Sequence, residues 1–363
     1  MNKEAPPLIK CLPALSSLTT KPKIETQPFQ DVPNTWRLGY SFMNLNKDRY
    51  QSVFTYGRCI IIILGLVLGL TIYFWGKELY GYKGALLALS LYVFNPNILA
   101  HSSLVTIDIG VSLTIFFSVY CLWKYLRAPT AFSIALAGVA LGLAQLSKFT
   151  ALLLYPIYFF IFITLYIASG LKKKDQKINF PATSIIKYGK DFLIIILISI
   201  LIINFGYLFS NSFLPASSYH FSSGLLKNIF SLFGSGFPIP LPYDYLTGFD
   251  YQLAQAVGGH PFYVSYLMGE HSLTGWWYYY IVSFLVKNPV PFLIMLAMTI
   301  IACMEIKEAR TDTVSFLCIW VPAIAYFFYF SFFTHSPIGI RYLLPIFPFL
   351  FLASGFLFHQ AII

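Results

Sequence analysis

Long stretches without charge decide what this chain can become. Nine of them, residues 59–75, 84–100, 109–123, 131–146, 149–169, 192–208, 279–304, 314–333 and 342–358, are almost continuously apolar. A bilayer-crossing helix needs about 17–25 such residues, because in hydrocarbon every backbone N–H and C=O has to be paired internally. Only 10% of the chain is charged and 58% is hydrophobic, whereas a soluble domain carries about 25% charged residues. The expected fold class is therefore all-α, a polytopic membrane bundle of about nine helices, some of them short or interrupted by proline.

The formal net charge of +10 would suggest nucleic acid in a soluble protein. Here basic loops on the cytoplasmic side account for it, and no nucleic-acid partner is expected. The five cysteines form no CxxC pair, so neither a disulfide framework nor a metal site is implied. The first residues, MNKEAPPLIKCLPALSSL, have no compact apolar stretch ending in small residues and do not read as a signal peptide.

Short-loop charge orients the spans. LKKKDQK (171–177) with Lys187 and Lys190 is the strongest cytoplasmic signal, and WKYLRAP (123–129), GKELYGYKG (76–84) and EIKEARTD (305–312) fall on the same side. The opposite face then receives the turn 101–108, Lys148, the segment 210–275 and THSPIGIR (334–341). It also receives the polar residues before Arg58, with nothing ahead of them to drive translocation. Either this segment flips the topology or a helix is missing upstream. The second is expected, because a flip would put every other basic loop on the wrong side. Four parts follow: an extracytoplasmic juxtamembrane segment (1–58), membrane helices (59–209), an extracytoplasmic segment roofing the site (210–275) and further membrane helices (276–363).

On this topology the ionisable residues of the apolar regions gather at one surface. Asp108 opens a span, with His101 seven positions earlier. Lys148 lies in the LSKFT turn, Lys287 in FLVKNP, Arg341 in SPIGIRYLLP, and Glu270 and His271 in LMGEHSLTGWWYY. An ionisable group at membrane depth costs about 2.5–3.5 kcal/mol and usually faces a cavity or a partner. One carboxylate among several cations suits a phosphate beside a proton acceptor. Plainer readings stand next to this one: Asp108 as a helix cap, Lys148 and Lys287 snorkelling to headgroups, Arg341 as an interfacial anchor, His101 as a neutral interfacial histidine, and GWWYYY (275–280) as an aromatic belt.

Several blocks occur in an order that is itself informative: APPLIKCLPAL (5–15), NPNILAHSSLVTIDIG (95–110), LAQLSKFTALLLYP (143–156), LPYDYLTGFDYQLA (241–254), YLMGEHSLTGWWYYYIVSFLVKNPVPFLI (266–294) and GIRYLLPIFPFL (339–350). Together they resemble bacterial membrane glycosyltransferases of the protein-mannosyltransferase-like and aminoarabinose-transferase-like group, with the GT-C fold, glycosyltransferase family 39 in the broad sense. The resemblance implies transfer of a sugar, with inversion, from a polyprenyl-phosphate donor to a protein, lipid or glycan acceptor outside the cytoplasm. It implies a multi-pass protein of the bacterial inner membrane whose partners are membrane lipid, donor and acceptor. It assigns Asp108 and His101 to catalysis, Arg341, Lys148 and Lys287 to the donor phosphate, and Glu270, His271 and Tyr342 to the lining of the site. Some relatives need a divalent metal and others do not. Two departures matter. Relatives carry an acidic pair upstream of an HPPL motif, whereas here the motif reads APPL from Ala5, just after Met1. The chain also stops soon after GIRYLLP. A truncated chain is therefore expected. A lipid-substrate transporter or flippase and a non-catalytic membrane scaffold are the competing readings.

Overall fold

The structure, a computed structural model, describes residues 5–24, 35–171, 185–258, 264–273, 275–305, 312–333 and 339–358. It is helical nearly throughout, as the apolar runs require. Short helices α1 (Leu8–Ala14), α2 (Ser16–Thr20) and α3 (Thr35–Leu45) precede the long α4 (Tyr50–Val93). Then come α5 (Pro96–Ser102), α6 (Asp108–Arg127), α7 (Ala131–Gln145), α8 (Leu154–Leu171) and α9 (Ile185–Gly206). A cap holds α10 (Gly224–Phe230), α11 (Tyr243–Gly258) and the hairpin β1 (Ser265–Leu267) with β2 (Glu270–Ser272). The chain returns through α12 (Tyr279–Lys287), α13 (Val290–Glu305), α14 (Thr313–Phe333), a 3-10 turn (Ile340–Ile346) and α15 (Phe347–Ser354).

Among the described residues six helical segments are long and apolar enough to cross a membrane, or seven if one bent pair counts as a span. This makes a multi-pass membrane protein, with fewer spans than the nine expected, and three local causes explain the difference. First, Gly81 has φ 75° inside α4, a left-handed geometry open to glycine. The chain reverses there, so that the Tyr92 hydroxyl donates to Gly65 O at 2.6 Å. The returning leg runs only from 82 to 93, roughly 18 Å, and Pro96 then starts a separate helix. Second, α7 has only 15 residues. Third, residues 279–304 are two helices bent by 115°, because Pro289 cannot continue α12.

Helix α6 is the axis of the bundle. Most of its 20 residues are buried, against α4, α7, α14 and the 340–346 turn. Trp75 packs on Phe116, Tyr120, Trp123 and Phe349. On its other side α7 meets α9 through Gly138 and Gly142. A methyl group added there would come within 2.7 Å of Ile198 and 2.5 Å of Ile202, so two small residues four apart let the helices touch, as in membrane GxxxG contacts.

Twenty residues make α6 about 30 Å long, the thickness of the hydrocarbon core. Its two ends therefore define two poles. At the Arg127 end, Arg127 pairs with Asp312 at 3.0 Å, Lys124 pairs with Glu78, and the Tyr125 hydroxyl donates to Asp191 at 2.6 Å. These contacts bring the loops containing 76–84, 123–129 and 312 together with the start of α9. Residues 172–177 and 306–311, which carry much of the basic signal, lie outside the described residues.

The cap has a core of its own, formed by Tyr219, Phe221, Leu226, Ile239 and Leu246. A ribbon of backbone bonds closes it, from Phe213 N to Ile239 O and from Ala216 N to Phe237 O, both 2.9 Å. Burial pushes Asp250 up, but bonds from Ser222 N (2.7 Å), Ser223 N (2.8 Å) and the Ser223 hydroxyl (2.6 Å) outweigh it and hold the carboxylate below its usual range. The cap is fastened to the membrane helices by Tyr245, whose hydroxyl donates to buried Gln145 at 3.2 Å and whose ring meets Phe149.

Candidate functional site

At the pole opposite Arg127, four chain segments far apart in sequence converge. Ile107 is the N-cap of α6 and has no side-chain cap bond, so Asp108 follows as the first helical residue. Its carboxylate, on a side chain 5% exposed, stands 3.6 Å from Lys148 Nζ and 3.8 Å from His101 Nδ1. A negative charge at a helix N-terminus is favoured by the macrodipole, and here it also faces two basic groups.

Lys148 reaches the carboxylate because the chain between α7 and α8 turns sharply. It sits in extended backbone between α7 and a 3-10 segment (Phe149–Leu153). The Gln145 side chain bridges that turn by donating to Ala151 O at 2.9 Å. Nζ lies 4.7 Å from the centre of the Tyr342 ring. That ring is stacked on Phe330 at 5.4 Å with a 6° tilt, and the Arg341 guanidinium is 5.7 Å from it. A cation over a ring held flat by a second ring is a stable placement. Arg341 enters from Gly339, whose φ of 71° lets the chain turn in. The Gly339 N–H donates to the Tyr279 hydroxyl at 3.2 Å.

His101 is positioned by α5, and α5 by three asparagines. Asn95 caps α5 by accepting from Asn97 N and Ile98 N. Its amide donates to Asn288 Oδ1 at 3.2 Å, and Asn97 donates to Lys287 O at 2.8 Å. Asn288 in turn donates to Phe284 O at 2.8 Å. These contacts join the NPN turn to the bend between α12 and α13, and bring Lys287 close enough to influence His101. Sequence reading missed this joint. Its signal was two asparagine–proline pairs, at 95–96 and 288–289, within apolar surroundings.

Burial lowers the pKa of both His101 and Lys148. Asp108 pulls each back up, and Arg341 pushes each down again by like-charge repulsion. His101 is therefore held neutral at physiological pH. His101 Nδ1, Thr106 Oγ1 and Arg341 Nε are buried without a hydrogen-bond partner in the protein, so each is open to a water, an ion or a ligand.

Glu270 and His271 are not part of this cluster. They lie exposed on β2, opposite Leu267 and Tyr266, and the His271 ring rests against Tyr266 at 5.1 Å. The 275–280 aromatics divide: Trp277 is exposed and stacks on Phe332, whereas Tyr279 and Tyr280 are buried. His260, His335 and His359 lie outside the described residues. Among the described residues no three His, Cys, Asp or Glu side chains come together as a metal site. The N-terminal segment belongs to the same pole. Leu8 N donates to Leu146 O at 3.0 Å, and Ile9 packs directly over Gly110.

Comparison with known proteins bears on the fold. Residues 48–180 match the family model PMT_2, dolichyl-phosphate-mannose-protein mannosyltransferase. No curated protein sequence matches the chain. Among solved structures the fold is similar to ArnT from Cupriavidus metallidurans bound to undecaprenyl phosphate, with TM-score 0.57 and 12% identity over 97% of this chain and 49% of that one. The apo state of the same protein gives TM-score 0.52 and 13% identity over 97% and 49%. An Archaeoglobus fulgidus oligosaccharyltransferase tethered with an acceptor peptide gives TM-score 0.51 and 13% identity over 97% and 41%. The chain thus spans about half or less of the length of these structures, and it has the GT-C fold.

Proposed function

We propose that this GT-C chain, of the protein-mannosyltransferase and ArnT type, transfers a sugar from a polyprenyl-phosphate donor to an extracytoplasmic protein, lipid or glycan acceptor, with inversion. The observation that carries the reading is the cluster itself: one buried carboxylate between Lys148 and His101, beside Arg341 and Tyr342, at the mouth of a membrane helix. The acceptor hydroxyl attacks the anomeric carbon from the face opposite the phosphate. Asp108 takes its proton as the new C–O bond forms, and the bond from the anomeric carbon to the phosphate oxygen breaks. Polyprenyl phosphate leaves with the electron pair. A positioned base of this kind supplies about 10²–10⁴ in rate.

Arg341, Lys148 and Lys287 meet the charge that grows on the departing phosphate, as fixed cations do best in a site closed to water. A bidentate donor such as Arg341, with a buried Nε still unpartnered, is suited to phosphate. Neutral His101 borders the second oxygen of Asp108 at 3.8 Å without a hydrogen bond, close enough to touch an acceptor held at that carboxylate. The relatives support the type of donor, since ArnT binds undecaprenyl phosphate. The basic loops at the other end support an extracytoplasmic Asp108 pole, and the family resemblance supports the bacterial inner membrane.

The test is sugar transfer by the full chain in membranes given polyprenyl-phosphate-linked donors. Asp108→Asn is expected to lower transfer about 10²–10⁴-fold at unchanged expression, and Arg341→Ala to raise the donor KM. Undiminished transfer by Asp108→Asn would remove the carboxylate from the reaction.

A further inference from the structure

The outer cap carries an apolar surface that its own core does not use. At its tip Leu225 is 56% exposed, Leu232 84% and Phe233 43%, with Phe237 beside them at 44%. Contiguous exposure of this kind on a protein marks contact with lipid or a partner.

The neighbouring structure says which. Helix α9 is a membrane span that exposes Leu193, Leu197, Leu201 and Phe205 at four-residue spacing, one lipid-facing stripe. The stripe continues past the end of the helix through Leu208, 86% exposed, and Phe213, 57% exposed. Phe213 then begins the ribbon, paired with Ile239, and Ala216 N donates to Phe237 O one step further along. A series of exposed apolar side chains, interrupted by Ser210 and Asn211, therefore leads from a bilayer-embedded helix toward the tip of the cap.

Charge is complementary to the same surface. A recess of about 370 Å³ lies behind the tip, floored by Tyr219, Phe221 and Phe230 and rimmed by His220, Lys227 and Ser231. The floor is a stack, with Phe221 4.8 Å from Phe230 at 28° and 5.6 Å from Tyr219 at 17°. Lys227 and His220 are exposed. Apolar side chains flanked by a lysine and a hydroxyl fit the boundary between acyl chains and phosphate headgroups.

We propose that the tip of the cap, residues 225–237, dips into the outer surface of the bilayer, with the Lys227 recess receiving the phosphate of an anionic phospholipid. The cap is then held at two points, by Tyr245 on the membrane helices and by lipid at its far end.

The experiment places a fluorescent label at Leu232→Cys in the full chain, with exposed Cys11 and Cys59 replaced by serine. The chain is reconstituted in nanodiscs of phosphatidylcholine with or without phosphatidylglycerol. Emission is expected to be quenched by doxyl groups on the acyl chains and protected from iodide, more so with phosphatidylglycerol. Lys227→Gln is expected to shift the label about fivefold toward water in phosphatidylglycerol discs, the effect of about 1 kcal/mol for one lysine at an anionic surface, and little in phosphatidylcholine alone. A label open to iodide and untouched by doxyl lipid overturns the insertion and leaves the patch to a protein partner. Equal burial in both lipids, unchanged by Lys227→Gln, overturns the headgroup site.

Discussion

Replacing Asn288 with alanine removes the joint between the two proline-marked turns, and the cost follows from the bonds lost. Asn288 is 6% exposed, and its partner Asn95 2%. The Asn288 amide donates to Phe284 O at 2.8 Å, and its oxygen accepts from Asn95 at 3.2 Å and, at the long limit, from Asn97 at 3.4 Å. After truncation the Asn95 amide is stranded, and so is the Phe284 carbonyl in the last turn of α12. A buried polar group deprived of its partner costs about 1–3 kcal/mol, so two give about 2–6 kcal/mol with nothing counted for the long contact. Asn95→Ala breaks the same joint from the other side and also loses its cap on Asn97 N and Ile98 N, adding about 1 kcal/mol. Because both substitutions delete one shared bond, the double variant should fall short of the sum by about 1–3 kcal/mol. Unfolding of the full chain by SDS titration in mixed micelles measures each corner of this cycle. Additivity to within about 0.5 kcal/mol would mean that the two asparagines act separately, and the joint would not exist as described.

Three other outcomes follow from the same structure. His101 has a folded pKa below its ordinary 6.5, so the unfolded chain takes the proton first; stability is present above pH 6.5 and is lost as pH falls toward the folded value, and His101→Gln should flatten that slope in acid unfolding curves. Gly142→Leu forces atoms into Ile202 and Ser199 O and should cost about 1–3 kcal/mol in SDS unfolding, whereas Gly189→Ala, with nothing within 4 Å, should be neutral or stabilising by up to about 1 kcal/mol. Asp250→Ala should loosen the cap by about 2–3 kcal/mol, read as faster proteolysis of residues 214–250; in the parent chain this contribution is present above pH 3.8 and is lost as pH falls through the depressed folded pKa.

What could be read in advance depended on whether the cause was local. Asp108, Lys148 and Arg341 stood out because a charge among apolar residues is costly wherever it lies, and all three meet at one pole. The reversal at Gly81 was illegible because good helix formers flank one glycine, and nothing nearby distinguishes a reversal from a continuous span. The bend at Pro289 was visible as a proline, but its angle is set by packing against α14 and α15. The asparagine joint links residues about 190 positions apart, and an isolated Asn-Pro reads as an ordinary turn. Glu270 and His271 were grouped with the site because their block lies between others that belong to it, yet a two-strand hairpin holds them in the open. The cap core was hidden by composition, since aromatic residues facing each other and aromatic residues facing lipid look alike in sequence.

The asparagine joint and the Tyr342 stack also impose an order in time. The segment of the pole from Asn95 to Asp108 leaves the ribosome long before Asn288 and Arg341 are made. At about 5–20 residues per second the interval is roughly 10–40 s for Asn288 and longer for Arg341. During it Asp108 and His101 sit at the mouth of a finished helix without the segments that define their surroundings. The cluster closes only when the last helix docks. A nascent chain therefore holds no assembled cluster while it is still being threaded into the membrane, and a chain arrested before residue 340 would be inserted and largely helical without it.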